Sequence, residues 1–577
     1  MRPLLRNIFL IIIFSLSFLS FLSSLSVASL GEIVVINSKK WSDVYAGLLY
    51  ARLKGVNGYF LTSPNPEGIL KILPRGHDII LIESSTDPYV PTLDSILRAS
   101  GFRILNKKEI KEGPIDLLPP NITTIYIVEE DRPTDALIAA PLAVSNKGWV
   151  IVVNSDNVKK ITNILSGKKI ILIGYFQRDI RSVLEKYKNY EIIEPSKFRL
   201  SLLAADYFLK QHPTTQILIS DGKYIEEEIF SGYSPLIIVG TNLLPEETIK
   251  WISNHSIKSC VIIGTHLTYV GEQIRKISKR DIGVFVKWGQ ALPGSPIFAL
   301  TMMPLPSPQL KLRVESVMYD PEKQMLLVNF KNDGNIGIFE LTTLRILDKG
   351  KEIASAGDSS PYFIGSGESL IVSYSLYLPP EEVAKNLTVE FFTSYGESPE
   401  SLDRYLTNMG KFGPPLTKQL IVKRVNDRSE LNVTKITYYT KYHRIGIKIE
   451  NLGKIPTYFI VKLPSLKVQG VPKALQSKIE LINSKEKEVF IPVTLDPIDI
   501  KENSEVDVIL DYGERKNLFV KSMFVTLPLQ VSSGIGITGF FISAKSIEIG
   551  AVVGVVGVVI GLWLRKRKIK RRKKRKS

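Results

Sequence analysis

One pattern recurs three times in the first half of the chain. Apolar runs IVVIN (residues 33–37), IYIVEE (125–130) and ILIS (217–220) are each followed by a short loop and an acidic residue that opens a helix-like segment. Those residues are Asp43, Asp135 and Glu227, separated twice by 92 positions. A second apolar run follows in each copy (GYFLTS, WVIVVN, PLIIVG), then a third (DIILIE, KIILIGY, CVIIGT). The runs are short, continuous and rich in Ile and Val, with helical patterns such as VYAGLLYARLK and LPEETIKWISN between them. Continuous apolar strands alternating with helices predict parallel sheets buried on both faces. The expected fold is therefore multidomain α/β plus all-β, beginning with three tandem α/β modules at 31–120, 121–194 and 195–288. Ser42-Asp43 and Thr134-Asp135 are expected to cap helix N-termini, and Glu226-Glu227-Glu228 to form a solvated helix start.

The strings that carry the repeat resemble a known family. DRPTDALIAAPLA, then WVIVVN, KKIILIG and a helix, is similar to the cell wall-binding type 2 repeat of prokaryotic surface proteins. The third copy matches through RLSLLAADYFLK, ILISDGKY, PLIIVGTNLLPEETIKWI, KSCVIIG and VGEQIRKI. The resemblance covers residues 31–287. It implies three modules packed around a pseudo-threefold axis that bind anionic envelope polymers without covalent attachment. Two departures stand out. Glu83 occupies the place of Gly174 and Gly264, and the third copy lacks the Asp-Ala-Leu triplet and has a shortened helix there.

The two ends of the chain give an address. Residues 549–564 form the apolar run IGAVVGVVGVVIGLWL, and eleven of the final thirteen residues are Lys or Arg. An apolar helix stopped by a basic block predicts a single-pass anchor within 534–564 and a cytoplasmic tail at 565–577. Arg2 and Arg6 precede an apolar stretch ending at Ser26-Val27-Ala28, which predicts a signal peptide at 1–28, cleaved or retained as an anchor. The ectodomain is then extracellular. A membrane anchor, short repeats and a basic tail together resemble archaeal surface proteins. Gly550, Gly554, Gly557 and Gly561 share one helix face with overlapping G-x-x-x-G spacing, which predicts self-association of the anchor and a homo-oligomer. The triplets at Asn121, Asn254, Asn386 and Asn432 are candidate N-glycosylation sites.

Charge and cysteine usage exclude several classes. The net charge of +18 falls to +5 once the eleven tail charges, Arg2 and Arg6 are set aside, so no nucleic-acid partner is expected. The single cysteine, Cys260, forbids an intrachain disulfide, so large cores must hold the fold. It opens the apolar run CVIIG and is expected to be buried and inert.

Residues 289–310 hold five prolines within sixteen positions (Pro293, Pro296, Pro304, Pro306, Pro308), which predicts a stiff linker. Beyond it the pattern alternates with period two. KNDGNI (331–336) recurs as ENLGKI (450–455) after 119 positions, and Tyr395-Gly396-Glu397 recurs as Tyr512-Gly513-Glu514 after 117. Two β-sandwiches are expected, at 311–412 and 413–530, each long enough for seven strands. The pair resembles the immunoglobulin-like stalk domains of prokaryotic surfaces, which implies an adhesive or spacer role.

No catalytic motif is present. The five histidines form neither H-x-x-x-H nor H-E-x-x-H, and no G-x-S-x-G or phosphate loop occurs. No cofactor and no metal are expected. In open parallel sheets, ligands gather beyond the carboxyl ends of the strands, which here offer Glu83, Asp87, Tyr175, Gln177, Thr265 and His266 as a candidate ligand face. The leading expectation is a non-enzymatic surface protein whose head binds envelope glycopolymer or neighbouring surface-layer proteins. The competing classes are an anchored enzyme acting on envelope polymers and a solute-binding receptor.

Overall fold

The computed structural model of the protein describes residues 31–278, 281–290, 297–408, 414–516 and 518–532. The stretches expected to form a signal peptide, a membrane anchor carrying Gly550, Gly554, Gly557 and Gly561, and a basic tail lie outside the described residues. Among the described residues no helix is long and apolar enough to cross a membrane. The chain forms two compact units, built mainly from residues before and after position 308.

The first unit holds three sheets of one design. β1 (Glu32–Asn37), β2 (Asn57–Phe60), β3 (Asp78–Ser84) and β4 (Arg103–Ile110) lie side by side in the order β2-β1-β3-β4, all parallel. β5 (Thr124–Glu129), β6 (Trp149–Val153), β7 (Lys169–Ile173) and β8 (Tyr190–Ile192) repeat that order, again parallel. In the third sheet, β9 (Gln216–Ser220), β11 (Leu236–Ile238), β12 (Ser259–Ile263) and β13 (Gly283–Lys287) repeat it once more as β11-β9-β12-β13, while β10 (Tyr224–Ile225) stands apart from it.

Successive side chains of a strand point to opposite faces, and here both faces are dry. Val34, Ile36, Ile80 and Ile82 enter a central core together with Ile125, Ile127, Ile171, Leu218 and Ile238 from the other two sheets. Their neighbours Ile33, Val35, Ile79 and Leu81 fill an outer core of the first sheet, and Ile217, Ile219, Cys260 and Ile262 an outer core of the third. The helix Trp41–Lys54 crosses from β1 to β2 and stops at Gly55, whose φ of 77° is the left-handed conformation that glycine supplies at helix ends. The helix Pro133–Ser145 makes the same crossing in the second sheet. Tyr45 of the first helix donates its hydroxyl to the carbonyl of Ala136 in the second, 2.7 Å away, so the copies are joined by a bond as well as by the shared core.

The third copy departs where the sequence departs. Between β9 and β11 it holds only β10 and a single 3-10 turn, Glu227–Phe230. The cover comes instead from the preceding helix Lys197–Gln211, whose Ser201 Oγ accepts from the backbone N–H of Ile238 at 3.0 Å.

The proline-rich segment is more than a linker. β14 (Gly289–Gln290) pairs with β15 (Phe298–Ala299), and β16 (Met303–Pro304) pairs antiparallel with β10. Met303 and Leu305 are buried in the central core. Met303 and Leu305 decide this, because both find a dry site within reach, while Ile297 stays exposed.

The second unit contains two β bodies. The first has β17 (Leu312–Asp320), β18 (Met325–Asn332), β22 (Ser369–Ser375) and β26 (Ile421–Val422) in one sheet. Its other sheet has β19 (Ile338–Asp348), β20 (Lys351–Gly357), β21 (Tyr362–Ile364), β23 (Thr388–Ser398), β24 (Ser401–Tyr405) and β25 (Leu416–Gln419). Val328 and Phe330 from one sheet meet Leu344, Ile346 and Phe391 from the other in one core. The second body comprises β27 (Leu431–Tyr439), β28 (Arg444–Asn451), β29 (Thr457–Val468), β30 (Val471–Gln476), β31 (Glu480–Ile482), β32 (Glu486–Pro492), β33 (Glu505–Gly513) and β34 (Lys521–Ser532), likewise around one core. Each body thus exceeds seven strands. β34 belongs to both halves of its sheet, pairing antiparallel with β33 through Pro528 and parallel with β27 from Leu529 onward.

The 119-residue repeat is structural in detail. The bulge between Val314 and Ser316 recurs between Val433 and Lys435. Asn332 Nδ2 donates to the carbonyl of Ile336, and its Oδ1 accepts from Gly334 N–H, both at 2.8 Å; Asn451 makes the same pair of bonds to Ile455 and Gly453. The Tyr319 hydroxyl accepts from Leu378 N–H at 3.1 Å, as the Tyr438 hydroxyl does from Leu495 N–H at 3.0 Å.

Two outcomes follow from these buried polar groups. Asn332 also donates to the carbonyls of Ile364 and Gly365, so Asn332→Ala strands several buried acceptors and lowers the stability of the second unit by about 2 kcal/mol in urea unfolding. Glu340 and Asp358 both accept from Thr342, at 2.6 Å each. Burial, reinforced by Asp358, holds Glu340 well above the carboxyl range, and burial pushes Asp358 up to about 6. A raised acid keeps its proton in the fold, so the stabilisation from Asp358 is full below its unfolded value of 3.8 and is lost as pH rises through about 6. Between pH 4 and 7.5 the wild type is therefore expected to lose on the order of 2 kcal/mol more than Asp358→Asn, read by denaturation at each pH.

Candidate functional site

In the strand order shared by the three sheets, the chain leaves the first strand toward one side and returns on the other. That reversal opens a crevice beyond the carboxyl ends of the first and third strands. Asn37 and Glu129 close the first strands of their sheets and Asp221 directly follows that of the third; they are 92 positions apart and all buried. A polar group at the end of an apolar strand, inside the protein, must find partners, and each crevice answers differently.

In the first sheet the crevice is filled by its own side chains. Asn37 Nδ2 donates to Glu83 Oε1 and to the carbonyl of Val90, each at 2.7 Å, and Val90 N–H returns a bond to Asn37 Oδ1. Lys107 pairs with Glu83 at 2.8 Å. Asp43 does not cap its helix; its Oδ2 accepts from Ser38 Oγ at 2.7 Å. Burial raises the Asp43 carboxyl, and its bonds to Ser38 and Ser84 oppose the rise. Asp87 sits further out in the loop, 3.5 Å from Lys40.

In the second sheet Asp135 takes the crevice. Its Oδ2 accepts from Arg132 Nε at 2.6 Å, so it too is no cap. Gly174, at φ 96°, lies under it, and a Cβ there would stand 2.1 Å from Asp135 Oδ2. Tyr175 and Gln177 follow in the loop after β7, both partly exposed.

The third crevice keeps charged groups at the surface. Asp221 is 4% exposed. Its Oδ2 lies 3.2 Å from His266 Nε2, 3.4 Å from Lys223 Nζ and 3.2 Å from the donating hydroxyl of Thr241. The Lys223 ammonium also bonds Thr241 Oγ1. Burial pushes the Asp221 carboxyl up, but the close approach of His266 and the charge of Lys223 outweigh it and hold the group below the usual carboxylate range. The side chains of Lys223 and His266 remain 18% and 20% exposed, and Tyr224 stands edge-on to the His266 ring with centroids 5.9 Å apart. Thr265 is exposed beside them. Gly264 has a φ of 98°, and a Cβ there would lie 2.7 Å from His266 Cε1, so glycine lets the imidazole fold back over the strand end. The result is a buried carboxylate ringed by an amine, an imidazole, a hydroxyl and a phenol ring. Such a set can donate to anionic or hydroxyl-rich ligands and can stack on an apolar ring face.

Of the candidate face, then, Thr265 and His266 join a polar cluster, Glu83 is buried in a network of its own sheet, and Asp87, Tyr175 and Gln177 close other sheets. Asp221, Lys223, Tyr224 and Thr241 were not singled out from sequence. The 92-residue spacing of Asn37, Glu129 and Asp221 is the signal that finds the first of them.

Glu226-Glu227-Glu228 is not a solvated start. Glu226 is 1% exposed, accepts from Glu228 N–H at 2.8 Å and pairs with Lys287 Nζ at 2.6 Å, while Glu227 pairs with Arg52 at 2.9 Å. Burial raises the Glu226 carboxyl against the pull of Lys287. Cys260 is buried in β12 and its thiol is pushed up to about 12 by burial, out of the reactive range. Among the described residues no group of three His, Cys, Asp or Glu side chains could hold a metal ion. Asn121, Asn254 and Asn386 are exposed, and Asn432 is partly exposed within β27.

No protein-family model and no curated protein matches the chain. Among solved structures it is similar to Cwp6 from Clostridium difficile, at 21% identity over 27% of this chain and 28% of that one, with a TM-score of 0.23. It is similar to Cwp8 from the same organism at 13% identity over 43% of this chain and 47% of that one, with a TM-score of 0.35. The chain thus spans less than half the length of either. The E. coli chaperone DraB matches at 12% identity over 38% of this chain and 97% of its own, with a TM-score of 0.14.

Removing the carboxylate at the third crevice takes away the negative charge beside Lys223 and His266. Asp221→Ala is expected to destabilise the first unit by about 3 kcal/mol at neutral pH in thermal unfolding. Because the native carboxyl is held below its ordinary 3.8, the loss should shrink as pH falls below that value.

Proposed function

We propose that this is a cell-surface protein, held by its C-terminal segment in the membrane, whose α/β head binds an envelope glycopolymer at the third crevice without catalysing a reaction on it. The observation that supports it is the contrast among three crevices of one design. The first is filled by the Asn37–Glu83 network and the second by Asp135, whereas the third presents Lys223, His266 and Tyr224 partly exposed around a buried carboxylate. The Lys223 ammonium attracts an anionic polymer, the partly exposed His266 imidazole can hydrogen-bond to it, buried Asp221 holds these groups in place, and Tyr224 offers an apolar edge to a sugar ring. The repeat that resembles wall-binding modules agrees with this ligand class. Residues 308–532 separate the head from the anchor in sequence and act as a spacer.

A second reading is supported by a different feature. β13 is the outer strand of the third sheet, and its Phe285 is 60% exposed, with Trp288 just beyond it 59% exposed. An apolar strand edge can receive a strand from a neighbouring envelope protein.

Co-sedimentation of residues 31–532 with envelope material from the source cells tests both. The glycopolymer reading expects binding that disappears when glycans are stripped and that weakens about tenfold, or 1.4 kcal/mol, in Lys223→Ala with His266→Ala. Binding that survives stripping and is lost in Phe285→Ser favours the protein-contact reading. No binding to envelope material overturns both.

A further inference from the structure

The second β body contains a lysine where its strand should carry an apolar residue. On β29, Phe459, Val461 and Leu463 enter the body's core, so Tyr458, Ile460 and Lys462 face the other way. That face is covered. Lys462 is fully buried, and its Nζ donates to the carbonyl of Phe363 on β21 at 3.1 Å. Asp511, on the neighbouring strand β33, is 1% exposed. The register pairs Lys462 with Ile509 and Ile460 with Asp511, so the lysine and the aspartate are diagonal neighbours on one face of the sheet.

Their heads are in close contact. Lys462 Nζ lies 2.6 Å from Asp511 Oδ2 with side chains 1% and 2% exposed, yet Oδ2 has no hydrogen-bond partner, so the approach is too oblique for a hydrogen bond. The other carboxyl oxygen is occupied, since Oδ1 accepts from Ser522 Oγ at 2.6 Å. Keeping both charges in a dry site is costly, because desolvation takes several kcal/mol per ion and the repayment depends on good hydrogen-bond geometry. Two groups held this near are also at a very high effective concentration for reaction with each other.

We propose that Lys462 and Asp511 become joined by an intramolecular isopeptide bond. Proton transfer from the ammonium to the carboxylate gives a neutral amine and a carboxylic acid. The Nζ lone pair attacks Cγ, the C–OH bond breaks, and the hydroxyl leaves with a second proton from Nζ as water. An N–C amide bond forms, one water molecule is released, and no oxidant or other reactant is consumed. Ser522 polarises the oxygen that stays. The neutral product removes two buried charges and ties β29 to β33 covalently in a protein that has no disulfide to do so.

Proteolysis of the full chain and mass spectrometry of the fragments decide it. The expected result is a branched peptide containing Lys462 and Asp511, lighter by one water than its two linear parts, with cleavage after Lys462 blocked. It should be absent in Lys462→Arg, while Asp511→Asn should give the same branched peptide by releasing ammonia. Linear fragments alone, with Lys462 free, would overturn the proposal whatever the variants do. So would a branched peptide that persists in Lys462→Arg, or loss of water confined to the Asp511 fragment.

Discussion

Three parallel sheets send Val34, Ile127, Leu218 and their neighbours into one apolar interior, and the first unit depends on that shared burial. A parallel sheet is stable only when both faces are covered. The first and third sheets each find one cover in the central core and the other in helices of their own, while the second sits within the central core on both faces. No module could expose its inner face to water without leaving a large apolar surface behind. The buried thiol of Cys260 has no cysteine partner, so the free energy of this unit comes from packing and hydrogen bonding rather than cross-linking.

The same arrangement makes the strand ends consequential. The positions that follow or close the apolar strands lie inside the protein, where a polar group must be satisfied. Asn37 is satisfied by Glu83 and the Val90 backbone, Asp135 by Arg132, and Asp221 by His266, Thr241 and Lys223. One structural need met three ways yields two strand ends occupied by Asn37–Glu83 and Asp135, and one where Lys223 and His266 stay partly exposed. Repetition with divergence lets a fold of similar modules present one strand end unlike the other two.

In the second unit, the Asn corners and the tyrosines 119 residues apart show which parts of a β body tolerate least change. Asn332 and Asn451 bridge backbone groups of the corner that follows their strand, and Tyr319 and Tyr438 bind backbone groups before the short helices Pro380–Val383 and Pro497–Glu502. The outward face of β29 shows the opposite. Lys462 has the charge of a solvent position, and it is dry because Phe363 of the other body lies over it.

Periodicity by itself determined the class of each region. Continuous Ile/Val runs separated by helical segments dictate parallel sheets, alternating runs dictate antiparallel ones, and the 92- and 119-residue intervals mark the copies, because these patterns reflect local geometry and burial. The sequence also placed Thr265 and His266 at a strand end. What it left undecided depends on contacts between residues far apart in the chain. Tertiary structure chose strand-end partners over helix caps for Asp43 and Asp135, buried Glu226 against Lys287, and drew Met303 and Leu305 of the proline-rich segment into the core. It also gathered Asp221, Lys223, Thr241 and His266 around one carboxylate. The physical reason is common to all of these. A polar side chain's role is set by whichever partner reaches it once water is excluded, and the identity of that partner exists only when the sheets have packed.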